Sequence, residues 1–419
     1  MIPYIDSDPS TESGPTLGVV GGGEIGRLLA TAAVPFCVDV VVLDWRENPP
    51  ASVAAHGIPN FNYYARSGRE ADLARQCDLL TFAEYGGAMT FDGGGVSEIL
   101  ERVTNEDGIT VQPTADTIRQ ADDILYKNQL LSKANIPVPA FRRVDDSSDL
   151  EAAVEEFGAV VLKPRRNDLG KYIRVGKDDV LVRPDDDYEA AVDAVSVDAV
   201  AEAFVDFDRE LSVIGVVGHD EIKTYPVGEV IREQRVLRET VVPARTTDVV
   251  CDRADAVARE VLDCFEGRGV YHVQLFEVDG DILVGDVSPR PHNAGHWTIE
   301  GAVTSQFEQH IRAVLGWPLG STQLVAPTVS INILGPTDSW PLARLKNVDR
   351  ALAEPGVSLH WYGKSEAQPL RKMGHLTLIG NPTADAETAA VSDVDALLAR
   401  ARERRDELRF VEQSDSFHG

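Results

Sequence analysis

The segment TLGVVGGGEIGRLL constrains this chain most, because a short apolar run from Thr16 to Val20 enters three successive glycines and then a helical pattern. Gly21, Gly23 and Gly26 satisfy G-x-G-x-x-G, and Asp44 closes the next apolar run, Val38 to Leu43, about 18 residues on. Strand, turn, helix and strand open an α/β domain. The glycines let the backbone approach an anion at the N-terminus of a helix, where free N–H groups and the dipole favour phosphate. Two further readings stay open at this point: a dinucleotide fingerprint with Asp44 on a ribose, and a tight turn with no ligand.

Composition narrows the partners. Thirty-nine Asp and 29 Glu against 31 Arg and only 9 Lys give a net charge of −28, which repels polyanions and makes nucleic acid a poor partner. Acid spread along the chain reads as a solvated shell suited to a high-salt cytoplasm, where a short Debye length screens self-repulsion. The most apolar stretch, Thr16 to Asp44, carries Glu24, Arg27 and Asp39 and is no membrane span. Cys37, Cys77, Cys251 and Cys264 show no C-x-x-C spacing and read as buried small hydrophobes in a reducing compartment. Residues 1–15 lack a basic region with an apolar core, so they read as a disordered leader, and the expected location is the cytoplasm.

At 419 residues the chain has room for roughly three domains. The expected division is 16–113, 114–318 and 319–419. In the first, GGGEIGR is a turn, Leu28 to Val34 a helix, DLLTF a strand and Ser97 to Val103 a helix. A long helical pattern from Thr114 to Asn135 ends at IPVP. Strands follow at AVVLKPR, KYIRV, VAEAFV and ELSVIGVVG, then a helix from Arg253 to Glu266 and a hairpin turning at Asp279-Gly280. A helix from Ser305 to Leu315 stops at Gly316; VSINILG, LHWYG and HLTLIG are strands, and a charged helix runs from about Val391 to Arg409.

The densest functional cluster is PRPHNAGHWTIEG, Pro289 to Gly301. Buried polar groups need partners, so Arg, two His, Asn and Trp in so short a stretch make a poor core segment. Arg290 suits a phosphate, with His292 and Asn293 as neutral hydrogen-bonding groups. His292 and His296 at i, i+4 also raise zinc, without a third ligand nearby. In a lysine-poor chain, Lys364, Arg371 and Lys372 mark a second anion site, against the plain alternative of a solvated basic face. Lys163 ends an apolar strand beside Arg165 and Arg166, and either holds a nucleotide phosphate or snorkels.

Taken in order, GGGEIGR, AEAFVDFDREL, PRPHNAGHWTIEGAVTSQFEQHIRAVLGWPLG, YGK and RKMGH resemble 5-(carboxyamino)imidazole ribonucleotide synthase, an ATP-grasp family of purine biosynthesis, from about Thr16 to Gly380. The resemblance implies an α/β ATP-grasp fold with a Rossmann-like amino-terminal domain and a small β-rich carboxy-terminal domain. It also implies ATP with Mg2+, bicarbonate and aminoimidazole ribonucleotide as small-molecule partners, no NAD, and often a homodimer. By the same resemblance Lys163 contacts ATP phosphates, Glu202, Ala203, Phe204 and Val205 form the adenine hinge, and Glu210 holds the ribose. Arg290 and Lys364 are the implied catalytic residues, and Lys364 with Arg371 clamps the ribonucleotide phosphate. Gly23, Gly26, Arg27, His292, Asn293, His296 and Lys372 complete the substrate side.

Departures gather on the ATP side. RRNDLGKY replaces a glycine-rich lid and keeps only Gly170; Asp123 stands for a basic residue and Arg232 for a histidine. Gln274 and Asp286 align with the two metal-binding glutamates, and Gly285 with an adjoining Asn. Glu24 replaces a Gln, and Ala83, Glu84 and Tyr85 replace Glu, Phe and Glu. The chain therefore reads as a divergent synthase. Alternatives are a homologue that binds the ribonucleotide with little ATP turnover, and another ATP-grasp ligase on a related amine.

Overall fold

The computed structural model describes residues 14–44, 49–54, 75–84, 100, 104, 109–166, 179–195, 198–339, 341–381 and 391–411. KYIRV, Gly170, Tyr85 and all but Leu100 of the expected Ser97 to Val103 helix lie outside them.

A parallel sheet opens the chain: β1 (Thr16–Val20), β2 (Asp39–Leu43), β3 (Leu79–Phe82) and β4 (Thr110–Val111), in the order β2-β1-β3-β4. Helix α1 (Glu24–Ala33) starts directly after Gly23, four residues earlier than expected, so only Gly21 to Gly23 form the turn. The long helical pattern is broken into α2 (Ala115–Asp122) and α3 (Ile124–Lys133). Asp123 causes the break: its backbone is extended and its carboxylate accepts from the Tyr126 N–H at 3.0 Å, capping α3.

A second sheet carries β5 (Phe141–Val144), β6 (Val160–Pro164), β7 (Val180–Val182) and β8 (Ala199–Ala203), in the order β5-β8-β6-β7, packed by α4 (Ser147–Phe157) and α5 (Tyr188–Val195).

The largest sheet contains β9 (Arg209–Val217), β10 (Ile222–Thr224), β11 (Gly228–Glu233), β12 (Val236–Val242), β13 (Gly269–Val278) and β14 (Asp281–Ser288). Helix α6 (Asp248–Asp263) packs on it and begins five residues before the expected Arg253, because Thr247 caps its N-terminus. The expected turn holds: Asp279 and Gly280 both have positive φ, 52° and 82°. After α7 (Thr298–Gly301) and α8 (Gln306–Leu315), the carboxy-terminal strands β15 (Thr328–Leu334), β17 (Val357–Trp361) and β18 (Lys372–Ile379) join this sheet through the β12–β15 pairing. Its order is β14-β13-β9-β11-β12-β15-β18-β17, with β10 on β9. β16 (Leu342–Lys346) pairs with β19 (Arg409–Val411), α9 (Val348–Ala351) follows β16, and α10 (Val391–Glu407) covers β15 and β18.

Helix α8 fixes the amino-terminal domain to the large sheet. Phe307, Ile311, Val314 and Leu315 follow helical spacing and pack on Leu28, Leu29 and Ala33 of α1. Each such burial stabilises by about 1.5–3 kcal/mol, enough to bring the glycine turn against the segment after β14. All four cysteines are free thiols, but Cys37 is exposed and the others are half-buried, which corrects their reading as core residues. Among the described residues no helix is long and apolar enough to cross a membrane.

Candidate functional site

Four adjacent strands place one polar residue each in a row: Asp286 on β14, Gln274 on β13, Glu210 on β9 and Arg232 on β11. Gln274 pairs in register with Asp286, and Val230 with Glu210. Bulges after Gln274 and after Ile231 re-aim the flanking side chains.

Three residues expected at the site fall on this row. The Glu210 carboxylate, expected on a ribose, accepts from Arg232 Nε and Nη2, both at 2.6 Å, and from Gln274 Nε2 at 2.7 Å. Gln274, expected on a metal, turns its amide toward Glu210. Asp286 is ion-paired with Lys127 of α3, whose side chain is 4% exposed. Burial alone would raise the Asp286 pKa, but Lys127 and Lys163 hold it below the ordinary carboxylate value. Among the described residues no group of three His, Cys, Asp or Glu side chains gathers to hold a metal ion. One carboxylate already neutralised by an ammonium does not fit a resident magnesium ion.

Lys163 pairs with Glu202 at 2.5 Å, and Glu202 also accepts from Asn128 Nδ2 at 2.7 Å. Burial works against the Lys163 charge, and Glu202 outweighs it, raising the pKa. Ala203 and Phe204 give their N–H groups to Ala140 and Ala159. Val205 follows, then Phe207; the Phe204 and Phe207 rings are exposed, and Phe207 stacks on Phe276 at 4.8 Å. A Cβ at Gly285 would come within 2.6 Å of the Phe276 ring, so this glycine makes room for that ring. Arg165 and Arg166, the neighbours of Lys163 in sequence, donate to Asp123 at 2.9 and 3.1 Å. Asp123 thus gathers two arginines on its carboxylate.

On the other side, Asp44 is buried and accepts from the Gly22 N–H at 2.7 Å, tying the turn with one carboxylate oxygen. A Cβ at Gly26 would sit 2.1 Å from the Gly21 carbonyl oxygen, and one at Gly23 would strike the Glu84 carboxylate. Lys364, 7% exposed, binds Glu24 at 2.7 Å, donates to the Lys372 carbonyl at 2.6 Å and lies over the Tyr362 ring. Arg27 reaches the neighbouring Gly363, and Arg371 donates to the Glu366 carbonyl at 3.0 Å. Burial would raise the Glu24 pKa; Lys364 and Lys372 force it well below the ordinary range. Burial, with Lys364, Arg232 and Arg290 adding to it, lowers the Lys372 amine to about 8.

His292 stacks on His272 at 3.9 Å and accepts from the Ala294 N–H, while Gln306 grips its backbone at 2.7 and 3.1 Å. Asn293 is buried in the following turn. His296 belongs to a different stack, 4.6 Å from His375, which lies 4.5 Å from His360. The Tyr362 hydroxyl contacts His375 Nδ1 at 2.7 Å, and Glu300 holds His360 at 2.6 Å. Two separate stacks cannot supply the i, i+4 zinc pair. Burial lowers His272 and His296 to about 3, so both are neutral imidazoles, and neither has a ring hydrogen bond among the described residues. Arg290 closes the arrangement, donating to the Pro291 carbonyl at 3.1 Å.

Arg290, Arg232 and Lys372 thus act together on the neutral His272 and His292 imidazoles, and Lys364 with Lys372 acts on His296. Cations grouped about neutral imidazoles suit an anion. His272, Tyr362, Lys127 and Gln306 went unread in the sequence; the scarcity of lysine was the one signal that could have found Lys127.

Three family models cover the chain: a ribonucleotide synthetase preATP-grasp domain at 15–120, an ATP-grasp domain at 129–307 and a phosphoribosylaminoimidazole carboxylase C-terminal domain at 328–389. The N5-carboxyaminoimidazole ribonucleotide synthase of Pseudomonas aeruginosa is 34% identical over 91% of this chain and 99% of its own. The chloroplastic phosphoribosylaminoimidazole carboxylase of Vigna aconitifolia is 33% identical over 89% of this chain, which spans only 65% of that protein. The Thermotoga maritima N5-carboxyaminoimidazole ribonucleotide synthetase superposes with TM-score 0.79 at 32% identity, covering 96% of this chain and 100% of that one. The Aspergillus clavatus enzyme, solved with ADP and 5-aminoimidazole ribonucleotide, gives 0.76 at 30%, covering 91% and 98%.

Proposed function

Because the chain belongs to the N5-carboxyaminoimidazole ribonucleotide synthase family, with its preATP-grasp, ATP-grasp and carboxy-terminal domains, we propose that it joins bicarbonate to 5-aminoimidazole ribonucleotide at the expense of ATP. The observation that carries this reading is the grouping of Arg290 and Lys372 about the neutral His272–His292 pair, with Lys364 held on Glu24 in the first turn after the glycines.

Bicarbonate is a poor electrophile. The bond from the γ-phosphorus to the bridging oxygen of ATP breaks, ADP leaves with the electron pair, and a bicarbonate oxygen takes the phosphoryl group. The substrate amine then attacks the carboxyl carbon of this carboxyphosphate, and inorganic phosphate leaves with the amine's proton. The protein contributes position and charge: Arg290 faces the phosphoryl group, and Lys364 and Lys372 hold the ribonucleotide phosphate at the glycine turn. Neutral His292 donates or accepts a hydrogen bond without adding to the cationic charge. Phe204 and Phe207 offer stacking area to adenine. Magnesium, expected for the family, meets no group of three carboxylate or imidazole ligands among the described residues. Incorporation of 13C-bicarbonate into a carbamate carbon, followed by NMR, tests the reading; absence of that signal while ATP is consumed would refute it.

The ion pairs that close Glu210, Asp286 and Glu202 favour a second reading, in which the ribonucleotide is held but ATP turns over slowly. We further propose that the chain works in the cytoplasm of a salt-rich cell, as a divergent member of its family and as a homodimer. Its net charge of −28 supports the salt proposal, which fails if the thermal midpoint does not rise between 0.1 and 2 M KCl, concentrations of roughly these orders bracketing strong screening. Sedimentation tests the dimer.

A further inference from the structure

His310 of α8 stands between the amino-terminal domain and the large sheet with both ring nitrogens committed. It is fully buried, as are Thr81 of β3 and Val270 of β13, which it joins. The Val270 N–H donates to His310 Nδ1 at 3.1 Å, and His310 Nε2 lies 2.7 Å from the Thr81 hydroxyl oxygen. Burial pushes the imidazole down to about 3, so the ring is neutral. With Nδ1 accepting, its one proton sits on Nε2 and is donated to Thr81. Gly269 leaves the ring its room, since a Cβ there would come 3.1 Å from His310 Cε1. The neighbouring Phe307 and Ile311 attach α8 to α1 through apolar contact, which carries no direction. The two ring bonds do carry direction.

Each end of this bridge lies two residues from a part of the site. Beyond Thr81, the Ala83 N–H donates at 2.8 Å to the carbonyl of Val20, the residue that enters the glycine turn, and a Cβ at Gly21 would come 2.9 Å from Glu84. Beyond Val270 comes His272, stacked on His292. We propose that His310 and Thr81 are positioning residues: the Thr81–His310–Val270 bridge sets the glycine turn at a fixed distance from the His272–His292 pair, so that a ribonucleotide held at the turn meets those imidazoles in register. The proposal rests on the synthase reading above. Both residues are fully buried and act through the two strands. A displacement of about 1 Å between substrate and reacting groups slows a reaction by up to about a hundredfold. A nucleotide bound along the ATP-grasp sheet alone does not span the bridge and keeps its affinity.

The test compares Thr81→Val, which removes the hydroxyl at nearly constant shape, with Thr81→Ser, which keeps it, and with His310→Asn, which keeps an acceptor for the Val270 N–H and loses the Nε2 donor. Ribonucleotide-dependent phosphate release gives kcat and KM, calorimetry gives the affinities for 5-aminoimidazole ribonucleotide and for ADP, and urea unfolding shows which variants are folded. In Thr81→Val and His310→Asn, kcat is expected to fall about tenfold and ribonucleotide affinity several-fold, while ADP changes less than about twofold. Thr81→Ser is expected to stay within about twofold of the wild type in all three. Variants that lose urea stability but keep kcat and ribonucleotide affinity, or that weaken ADP equally, overturn the proposal, as does a Thr81→Ser that behaves like Thr81→Val. If His310→Asn does not fold, the two Thr81 variants carry the comparison. A wild-type chain that binds the ribonucleotide without releasing phosphate refutes the synthase reading, while the ribonucleotide affinities of the variants still decide the bridge. One that does not bind the ribonucleotide at all overturns both.

Discussion

Glu24 and Lys364 join the first turn of α1 to the loop before β18 by a 2.7 Å ion pair, with side chains only 15% and 7% exposed. The pair holds the Lys364 cation on a protein carboxylate in the first turn after the glycines. Glu24→Gln leaves Lys364 with the Lys372 carbonyl and the Tyr362 ring. Breaking a buried pair costs about 3 kcal/mol, so the unliganded variant is expected to unfold at lower urea. The freed ammonium should bind the ribonucleotide about tenfold more tightly, as calorimetry would read. Unchanged affinity would remove Lys364 from the phosphate site.

Lys372 makes substrate binding pH-dependent. Burial and neighbouring cations put its amine near 8, so it is charged below that pH and neutral above. The KM for the ribonucleotide is expected to rise several-fold from pH 7 to 9, and Lys372→Met to flatten that rise. The unfolded chain keeps this proton up to about 10.5, so between 8 and 10.5 the unfolded state binds more protons. The stability contribution of Lys372 therefore grows with pH over that window even as binding weakens. A KM flat from 7 to 9 in the wild type would exclude Lys372 from the site.

Lys127 and Asp286 provide a test of the metal question. Asp286→Asn leaves the buried Lys127 ammonium unpaired and is expected to cost about 3 kcal/mol in urea unfolding, toward the low end for buried pairs because the Asp286 side chain is 40% exposed. Replacing both partners, Lys127→Met with Asp286→Leu, should recover most of that loss. If the single and double variants are equally unstable, the pair is not what the buried ammonium depends on.

Features fixed by local backbone chemistry were legible in the sequence. The glycine turn, the Asp279-Gly280 hairpin and the Ser305 and Gly316 ends of α8 each depend on residues within a few positions. The cluster from Pro289 to Gly301 announced itself because its polar residues had no plausible core role. The break at Asp123 was readable in principle, since an Asp opening an apolar run is a cap signal, but the continuous helical period concealed it. His272 and Lys127 were not legible as site residues. His272 reaches His292 through the β13–β14 register, and Lys127 reaches Asp286 across 159 positions, neither of which leaves a local pattern. Glu210 and Gln274 were legible as site residues, whereas the bond from Arg232, one strand away, to the Glu210 carboxylate was not.

The most direct test of the central claim is phosphate release from MgATP in bicarbonate buffer, with and without 5-aminoimidazole ribonucleotide, in high salt. The account predicts release that depends on both bicarbonate and the ribonucleotide and falls about a hundredfold or more in Arg290→Ala, a loss of the size expected when one charged transition-state donor is removed. Release indifferent to the ribonucleotide, while calorimetry shows that it binds, would contradict the synthase reading and leave a ribonucleotide-binding homologue in its place.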